Sequence, residues 1–129
     1  MAIETTTQIL HDGARNAVVQ ITGRSDGSGQ ETAVTKVDVS ALQPPAARVA
    51  ISRLTYDITG GMVELLWNAD ADVPFAKLEG NNVSDYERIG GLQNAAWGEL
   101  GANGDILLTT RGFGLDSSYT IKFDLIKKF

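Results

Sequence analysis

The chain has 129 residues, a formal net charge of −5 at pH 7 and 43% hydrophobic residues, values typical of one folded domain and not of a disordered segment. It has no cysteine and one histidine, which excludes disulfide scaffolds, thiolate metal sites and cysteine nucleophiles. The acidic balance argues against a nucleic-acid partner, since phosphate binding needs clustered lysine and arginine, and no stretch approaches the roughly 18 apolar residues of a membrane span.

The first segment combines Ile3 with three consecutive threonines, Thr5, Thr6 and Thr7. Such residues favour a strand, but the segment has little to bury on its own. We therefore predict a flexible N-terminal arm over residues 1–7 that becomes ordered by adding a strand to a neighbouring subunit. Residues 8–129 form the single folded domain in this prediction.

Alternation of apolar and polar residues with a period of two follows the arm, as expected for half-buried strands. His11-Asp12-Gly13 predicts a hairpin turn, and the polar run from Arg24 to Gln30 predicts a loop. Strands are predicted over residues 16–22 and 32–39. Pro44-Pro45 then excludes a helix.

The middle of the chain contains a change of parity. Val49 and Ile51 share one face, whereas Leu54, Tyr56 and Ile58 share the other, which predicts a β-bulge at Ser52-Arg53. The runs Gly60-Gly61 and Gly80-Asn81-Asn82 predict turns. Short strands are expected between and after them, over residues 62–67, 73–78 and 83–89.

The last strands are predicted over residues 106–110 and 119–125, which brings the total to about eight or nine short strands. The sequence therefore predicts an all-β fold, an antiparallel β-sandwich or jelly-roll-like single domain. The predicted core consists of Val18, Ile21, Val37, Val39, Ile51, Tyr56, Val63, Leu65, Trp67, Ile121, Phe123 and Leu125.

Catalytic and metal-binding patterns are missing from the sequence. His11 beside Asp12 is the one candidate base with an orienting carboxylate, but no nucleophile motif accompanies it, so a turn histidine is the better interpretation. The loop beginning at Asp26 resembles a calcium loop, yet Val37 stands where the pattern requires glutamate, so we predict a solvated loop with Asx-turns. We predict no enzyme activity, no cofactor and no metal.

Charge and aromatic residues suggest where the protein makes contacts. The stretch from Asp70 to Asp105 holds seven acids and two bases and so carries the whole net charge, whereas Lys122, Lys127 and Lys128 lie near the end of the chain. This predicts either an electrically two-sided molecule that docks through its tail, or ordinary solvated charges. Trp67 is predicted in the core, and Trp97 is either a loop anchor or an interface anchor.

Several segments resemble a family of small virion-associated proteins encoded by tailed bacteriophages and prophages. The opening of that family is similar to Leu10-His11-Asp12-Gly13 followed by Arg15-Asn16-Ala17-Val18-Val19. Further similar segments follow in order: Ser25-Asp26-Gly27-Ser28-Gly29, Lys36-Val37-Asp38-Val39, Gly104-Asp105-Ile106 and Ser118-Tyr119-Thr120-Ile121. The resemblance extends from about Thr7 to Lys127.

The resemblance implies a capsid decoration (cement) protein, a virion structural protein that is assembled in the bacterial host cytoplasm and binds the major capsid protein. Self-association as a dimer or trimer fits the symmetry axes of a shell. The predicted interface residues are Ile3, Thr5, Thr6, Thr7, Trp97, Lys127, Lys128 and Phe129. The alternatives are a head–tail connector, tail or fibre component, and a carbohydrate- or host-surface-binding module that uses Trp97.

Overall fold

The computed structural model describes residues 3–128, and the regular structure in this range is almost entirely β-strand. The strands are β1 (Ile3–Asp12), β2 (Asn16–Asp26), β3 (Val34–Val37), β4 (Arg48–Trp67), β5 (Val73–Asp85), β6 (Ile106–Arg111) and β7 (Leu115–Lys128). Two 3₁₀ turns, Val39–Ala41 and Glu87–Ile89, complete the elements. None of the helices in residues 3–128 has the length and apolar character needed to cross a membrane. The all-β prediction is confirmed.

All seven strands belong to one antiparallel sheet with the order β1-β2-β7-β4-β6-β3, and β5 pairs with β4. β4 pairs with β7 through residues 48–59 and with β6 through residues 62–67. Because β5 pairs with both halves of β4, β6 and β7 lie end to end along its other edge. β4 is thus the strand on which three others assemble.

The sheet curls because β4 bends sharply. A straight strand of its 20 residues would be about 66 Å long. Yet its first residue, Arg48, lies against Gly104, and Asn68, which follows its last residue, donates its backbone N–H to the Asp105 carbonyl at 3.0 Å. At the outer ends of the sheet, β1 and β3 line one narrow cleft of about 110 Å³. The result is a nearly closed barrel.

Two of the predicted turns are wrong. Gly60-Gly61 lies within β4 and Gly80-Asn81-Asn82 within β5, so the structure has fewer and longer strands than predicted. Gly60 and Gly80 have φ angles of +81° and +66°, in the left-handed region that favours glycine. Here they produce a bend, with residues 59–62 of β4 bulging opposite Glu79 of β5. The predicted bulge at Ser52-Arg53 is confirmed, because the register shifts between Ile51 and Arg53.

The predicted core is confirmed at ten of its twelve positions. Tyr56 is only partly buried, although it packs against the core. Val18 is also only partly buried, because strand alternation turns its neighbours Ala17 and Val19 inward instead. Trp67 is fully buried as predicted and stacks on Phe75, with the ring centres 4.3 Å apart.

The N-terminal segment differs from the predicted flexible arm. Residues 3–7 belong to β1 and pair within the same chain, from Ile3 opposite Ser25 to Thr7 opposite Ile21. Ile3 is 3% exposed, so it contributes to the core of its own barrel and is not available as an interface residue. The folded domain therefore includes residues 3–7, and residues 1 and 2 of the predicted arm lie outside the described residues.

Candidate contact surface

Lys127, predicted on a docking tail, is buried instead. Its side chain is 0% exposed, and Nζ donates to Asp12 Oδ1 at 2.6 Å, to the Gly13 carbonyl at 2.7 Å and to the Pro44 carbonyl at 3.1 Å. The reason is strand alternation, because Lys127 continues the inward-facing series of Phe123 and Leu125. The prediction of Lys127 as an interface residue is wrong, since this lysine holds the end of β7 to the β1–β2 turn.

The other two tail residues contribute little to the predicted surface. Lys128 is partly buried, and Phe129 lies outside the described residues. Within the acidic stretch, Asp105 is buried and its Oδ1 accepts a hydrogen bond from the Val39 backbone N–H at 3.0 Å. Both an acid of the acidic stretch, Asp105, and a lysine of the tail, Lys127, are therefore buried in the fold. The structure does not divide the charges into an acidic face and a basic tail, which was one of the two interpretations of the sequence.

Asp12 is unavailable as an orienting group for His11. Its Oδ1 accepts from Lys127, and its Oδ2 accepts from the Gln43 backbone N–H at 2.8 Å. The hydrogen bond from Lys127 is the main reason that the pKa of Asp12 is lowered from its ordinary value. Both carboxylate oxygens therefore hold segments of the fold together.

The Asp26 loop is an Asx-turn, as predicted. Asp26 Oδ1 accepts hydrogen bonds from the Ser28 backbone N–H at 2.8 Å and from Ser28 Oγ at 2.6 Å. Glu31 is turned away from this loop, because it accepts from Lys36 Nζ and from the Tyr119 hydroxyl, both at 2.6 Å. Across residues 3–128, no group of three or more histidine, aspartate or glutamate side chains could hold a metal ion.

Trp97 is the largest of the exposed hydrophobic side chains in residues 3–128. It is 43% exposed, and the guanidinium carbon of Arg48 lies 4.8 Å from the centre of its ring. This arrangement is a cation–π contact that covers one part of the indole. Leu100 and Ile89, in the same stretch of chain between β5 and β6, are 81% and 71% exposed. We call residues 89–100 the Trp97 segment.

Local hydrogen bonds hold the Trp97 segment in place. The Ala96 backbone N–H donates to Asn94 Oδ1 at 2.9 Å, and the Leu100 carbonyl accepts from the Asp70 backbone N–H at 2.8 Å. Ala96 itself is fully buried. These contacts hold the segment without the indole, which is compatible with an interface role for Trp97, while its contact with Arg48 also fits the loop-anchor interpretation.

The second exposed feature is β1. Thr5, Thr6 and Thr7 are exposed, as the interface prediction requires, and Ile9 and Leu10 are 46% and 47% exposed. One edge of β1 pairs with β2, while no strand of residues 3–128 occupies the other. The Trp97 segment and the free edge of β1 are the two candidate contact regions.

Sequence reasoning missed Arg48 and the two exposed aliphatic residues of the Trp97 segment. Arg48 begins β4 and meets Trp97 only because β4 bends until its start lies against Gly104. No local pattern in the sequence signals that contact. Leu100 and Ile89 could have been noticed, since each is a large apolar residue beside glycine in a stretch without strand alternation.

Comparison of the chain with protein-family models gives no match, and comparison with curated protein sequences gives none either.

Proposed function

We propose that this protein is a capsid decoration protein, which binds the assembled shell of a tailed bacteriophage through its major capsid protein and reinforces that shell. The proposal is supported by the resemblance that extends from about Thr7 to Lys127. The observation that carries it is Trp97, a large aromatic side chain kept at the surface by a segment whose own hydrogen bonds hold it in place.

Trp97 and Arg48 have the chemistry of an interface anchor. Tryptophan and arginine are enriched among the few residues that supply most of the binding energy of protein interfaces. A partner that covers the exposed part of the indole also covers Arg48, which lies 4.8 Å from the ring centre. The ordered segment needs little further ordering on binding, which lowers the entropic cost of association.

The stabilising effect follows from mass action. A protein that binds sites present only in the mature shell stabilises that state, and each bound copy that bridges two shell subunits adds an interface that must break before the shell opens. A decoration protein acts by binding alone, so this role requires no catalytic group in the barrel.

A carbohydrate-binding module is the second function that an exposed tryptophan allows. Sugar binding uses an open aromatic face, and the Arg48 guanidinium lies over the Trp97 ring. This contact favours a protein partner over a glycan. The number of copies in each virion distinguishes a head–tail connector or tail component from a decoration protein.

The experiment is to purify virions from the bacterial host and to measure the amount of this protein relative to the major capsid protein by quantitative mass spectrometry. Decoration predicts a copy number comparable with that of the major capsid protein, and a connector predicts a small fraction of it. Absence from virions, or binding to host-surface glycans without capsids, would overturn the proposal.

A pair of variants tests the surface itself. Trp97→Ala should lower binding to undecorated capsids by at least about 10-fold, as for an interface anchor. Leu115→Ala is the matched control, because Leu115 is 74% exposed and lies at the opposite end of β7 from the residues that pair with the start of β4. Equal capsid occupancy for wild type and Trp97→Ala would exclude the Trp97 segment as the contact.

A further inference from the structure

Among residues 3–128, three strands of the barrel have an unpaired edge: β1, β3 and β5. β3 has four residues, too few to offer a long ladder. β5 contains Pro74, Lys77 and the positive-φ Gly80, features by which proteins prevent edge-to-edge pairing. The edge of β1 is different, because its ten residues include no proline, lysine or glycine.

The first part of β1 is also regular. Residues 3–9 pair with β2 one for one, and the register shifts only between Ile9 and His11. This segment is rich in β-branched residues, and residues 4–9 are all exposed. Thr7 and Ile9 also line the cleft towards β3, so a strand that pairs with them must enter that cleft. A regular exposed edge of this kind is a template for another strand.

We propose that β1 pairs with β1 of a second copy of this chain, antiparallel and across a two-fold axis at Thr6, so that one sheet continues through both copies. The inference rests on the proposed function for its biological role, since a dimer doubles the number of shell contacts, but not for its test.

The register follows from the side chains. With the axis at Thr6, Thr6 faces Thr6, Thr5 faces Thr7, Glu4 faces Gln8 and Ile3 faces Ile9 of the other copy. Directly opposed residues share a face of the sheet, so threonine meets threonine and the Glu4 carboxylate meets the Gln8 amide, which can donate to it, while the Ile3 side chain stays in the core of its own barrel. Moving the axis to Thr7 would instead oppose Glu4 to Leu10 and Ile3 to His11, and would draw the bulge into the ladder.

The pairing is short, so the free dimer should be weak. Two-stranded pairing alone is marginal in water, and only about seven residues of each copy take part. Two copies held side by side on a shell would pair at a much higher effective concentration. The dimer is therefore expected at high protein concentration in solution and on the capsid.

The absence of cysteine permits a clean cross-linking test on the full chain. In Thr6→Cys, the two thiols of a dimer lie directly opposite, with Cβ atoms about 5 Å apart, and mild oxidation should join them. Glu4→Cys is the matched control on the same strand and face. Its two thiols would lie about 13 Å apart along the strands and should stay unlinked.

A charge-swap experiment tests the same axis without a covalent bond. Thr6→Lys and Thr6→Asp each oppose like charges across the axis and should raise the dissociation constant measured by sedimentation equilibrium at least 10-fold. An equimolar mixture of the two variants should recover a dimer with opposite charges opposed. Unchanged thermal unfolding would show that the exposed position tolerates both substitutions.

The proposal is overturned if wild type is monomeric at every concentration and Thr6→Cys does not cross-link, or if Glu4→Cys cross-links as readily. It is also overturned if wild type is monomeric but Thr6→Lys loses capsid binding, because the edge would then receive a strand of the capsid protein. Cross-linking and sedimentation contain no capsids, so a wild-type protein that dimerises in them but does not bind capsids would reject the proposed function alone.

Discussion

Two lysine side chains of this small barrel, Lys36 and Lys127, are at most 4% exposed. Each is paired at 2.6 Å with a carboxylate, Glu31 and Asp12 respectively. Removing one partner of a buried ion pair is costly, because the other charge stays buried without compensation. These residues are therefore part of the structural framework.

Lys127→Ala should destabilise the fold by about 3–5 kcal/mol, since it leaves Asp12 and the Gly13 and Pro44 carbonyls without their shared donor. Lys128→Ala, one residue further along the chain, should change stability by less than about 0.5 kcal/mol because Lys128 is partly exposed and makes no ion pair among the described residues. Urea unfolding of both variants measures the difference. Equal midpoints for the two variants would contradict the assignment.

The Asp12–Lys127 pair also gives stability a defined dependence on pH. The pKa of Asp12 is lower in the folded protein than its ordinary value of 3.8, so its contribution is fully present above that value and is lost as the pH falls through the folded pKa. Asp12→Asn removes the ionisable group. The variant should be less stable than wild type at pH 7, and the gap should narrow below about pH 4. A gap that stays constant from pH 7 to pH 2 would show that Asp12 does not titrate with folding.

At the scale of elements, the bend in β4 decides the architecture. Gly61 stands at this bend, and a Cβ added there would lie 2.7 Å from Phe113 Cε1 and 2.9 Å from the Arg111 carbonyl oxygen. Phe113 is 4% exposed and has little room to move. The bend is therefore packed as closely as the core.

Gly61→Ala should destabilise the protein by about 1–3 kcal/mol, the usual cost of overpacking. Gly114→Ala is the control, because a Cβ added at Gly114 would meet nothing within 4 Å. Thermal unfolding compares the two. A Gly61→Ala midpoint equal to that of Gly114→Ala would mean that the bend has more space than the packing implies.

The sequence predicts those elements whose signal is local. Alternation predicts the last strand, and the change of parity predicts the bulge at Ser52-Arg53, because both depend on neighbouring side chains facing one core. A glycine pair, by contrast, looks the same in a turn and in a bend. At Gly60-Gly61 the choice depends on Phe113 and Ser117, which lie far away in the chain.

The candidate site was predictable only in part. Thr5, Thr6 and Thr7 are exposed as expected for polar side chains, whereas the sequence left Trp97 open between a loop anchor and an interface anchor. The prediction of Lys127 as an interface residue was wrong because it relied on the charge of the side chain. The alternation of β7 places Lys127 on the inward-facing side of the strand. Arg48 needed the fold, because only the bend in β4 brings it to Trp97.

At the scale of the whole molecule, one core stabilises the barrel. Phe123 is 0% exposed in the centre of β7, between β2 and β4. Phe123→Ala should destabilise the domain by about 3–5 kcal/mol, a large fraction of the stability of a protein of this size. Denaturant unfolding with Leu115→Ala as the exposed control checks this. A Phe123→Ala variant as stable as the control would contradict the assignment of β7 to the core.

The position of β7 in the sheet also determines the stage of synthesis at which the barrel can be completed. Within residues 3–114, β1 and β2 form one group of paired strands and β3, β4, β5 and β6 form another, and no strand pairing joins them. A nascent chain on the ribosome can build either group, but it cannot join them until residues 115–128 have emerged and inserted between β2 and β4. The barrel is thus completed after synthesis of β7, and until then the facing edges of β2 and β4 stay open to chaperones.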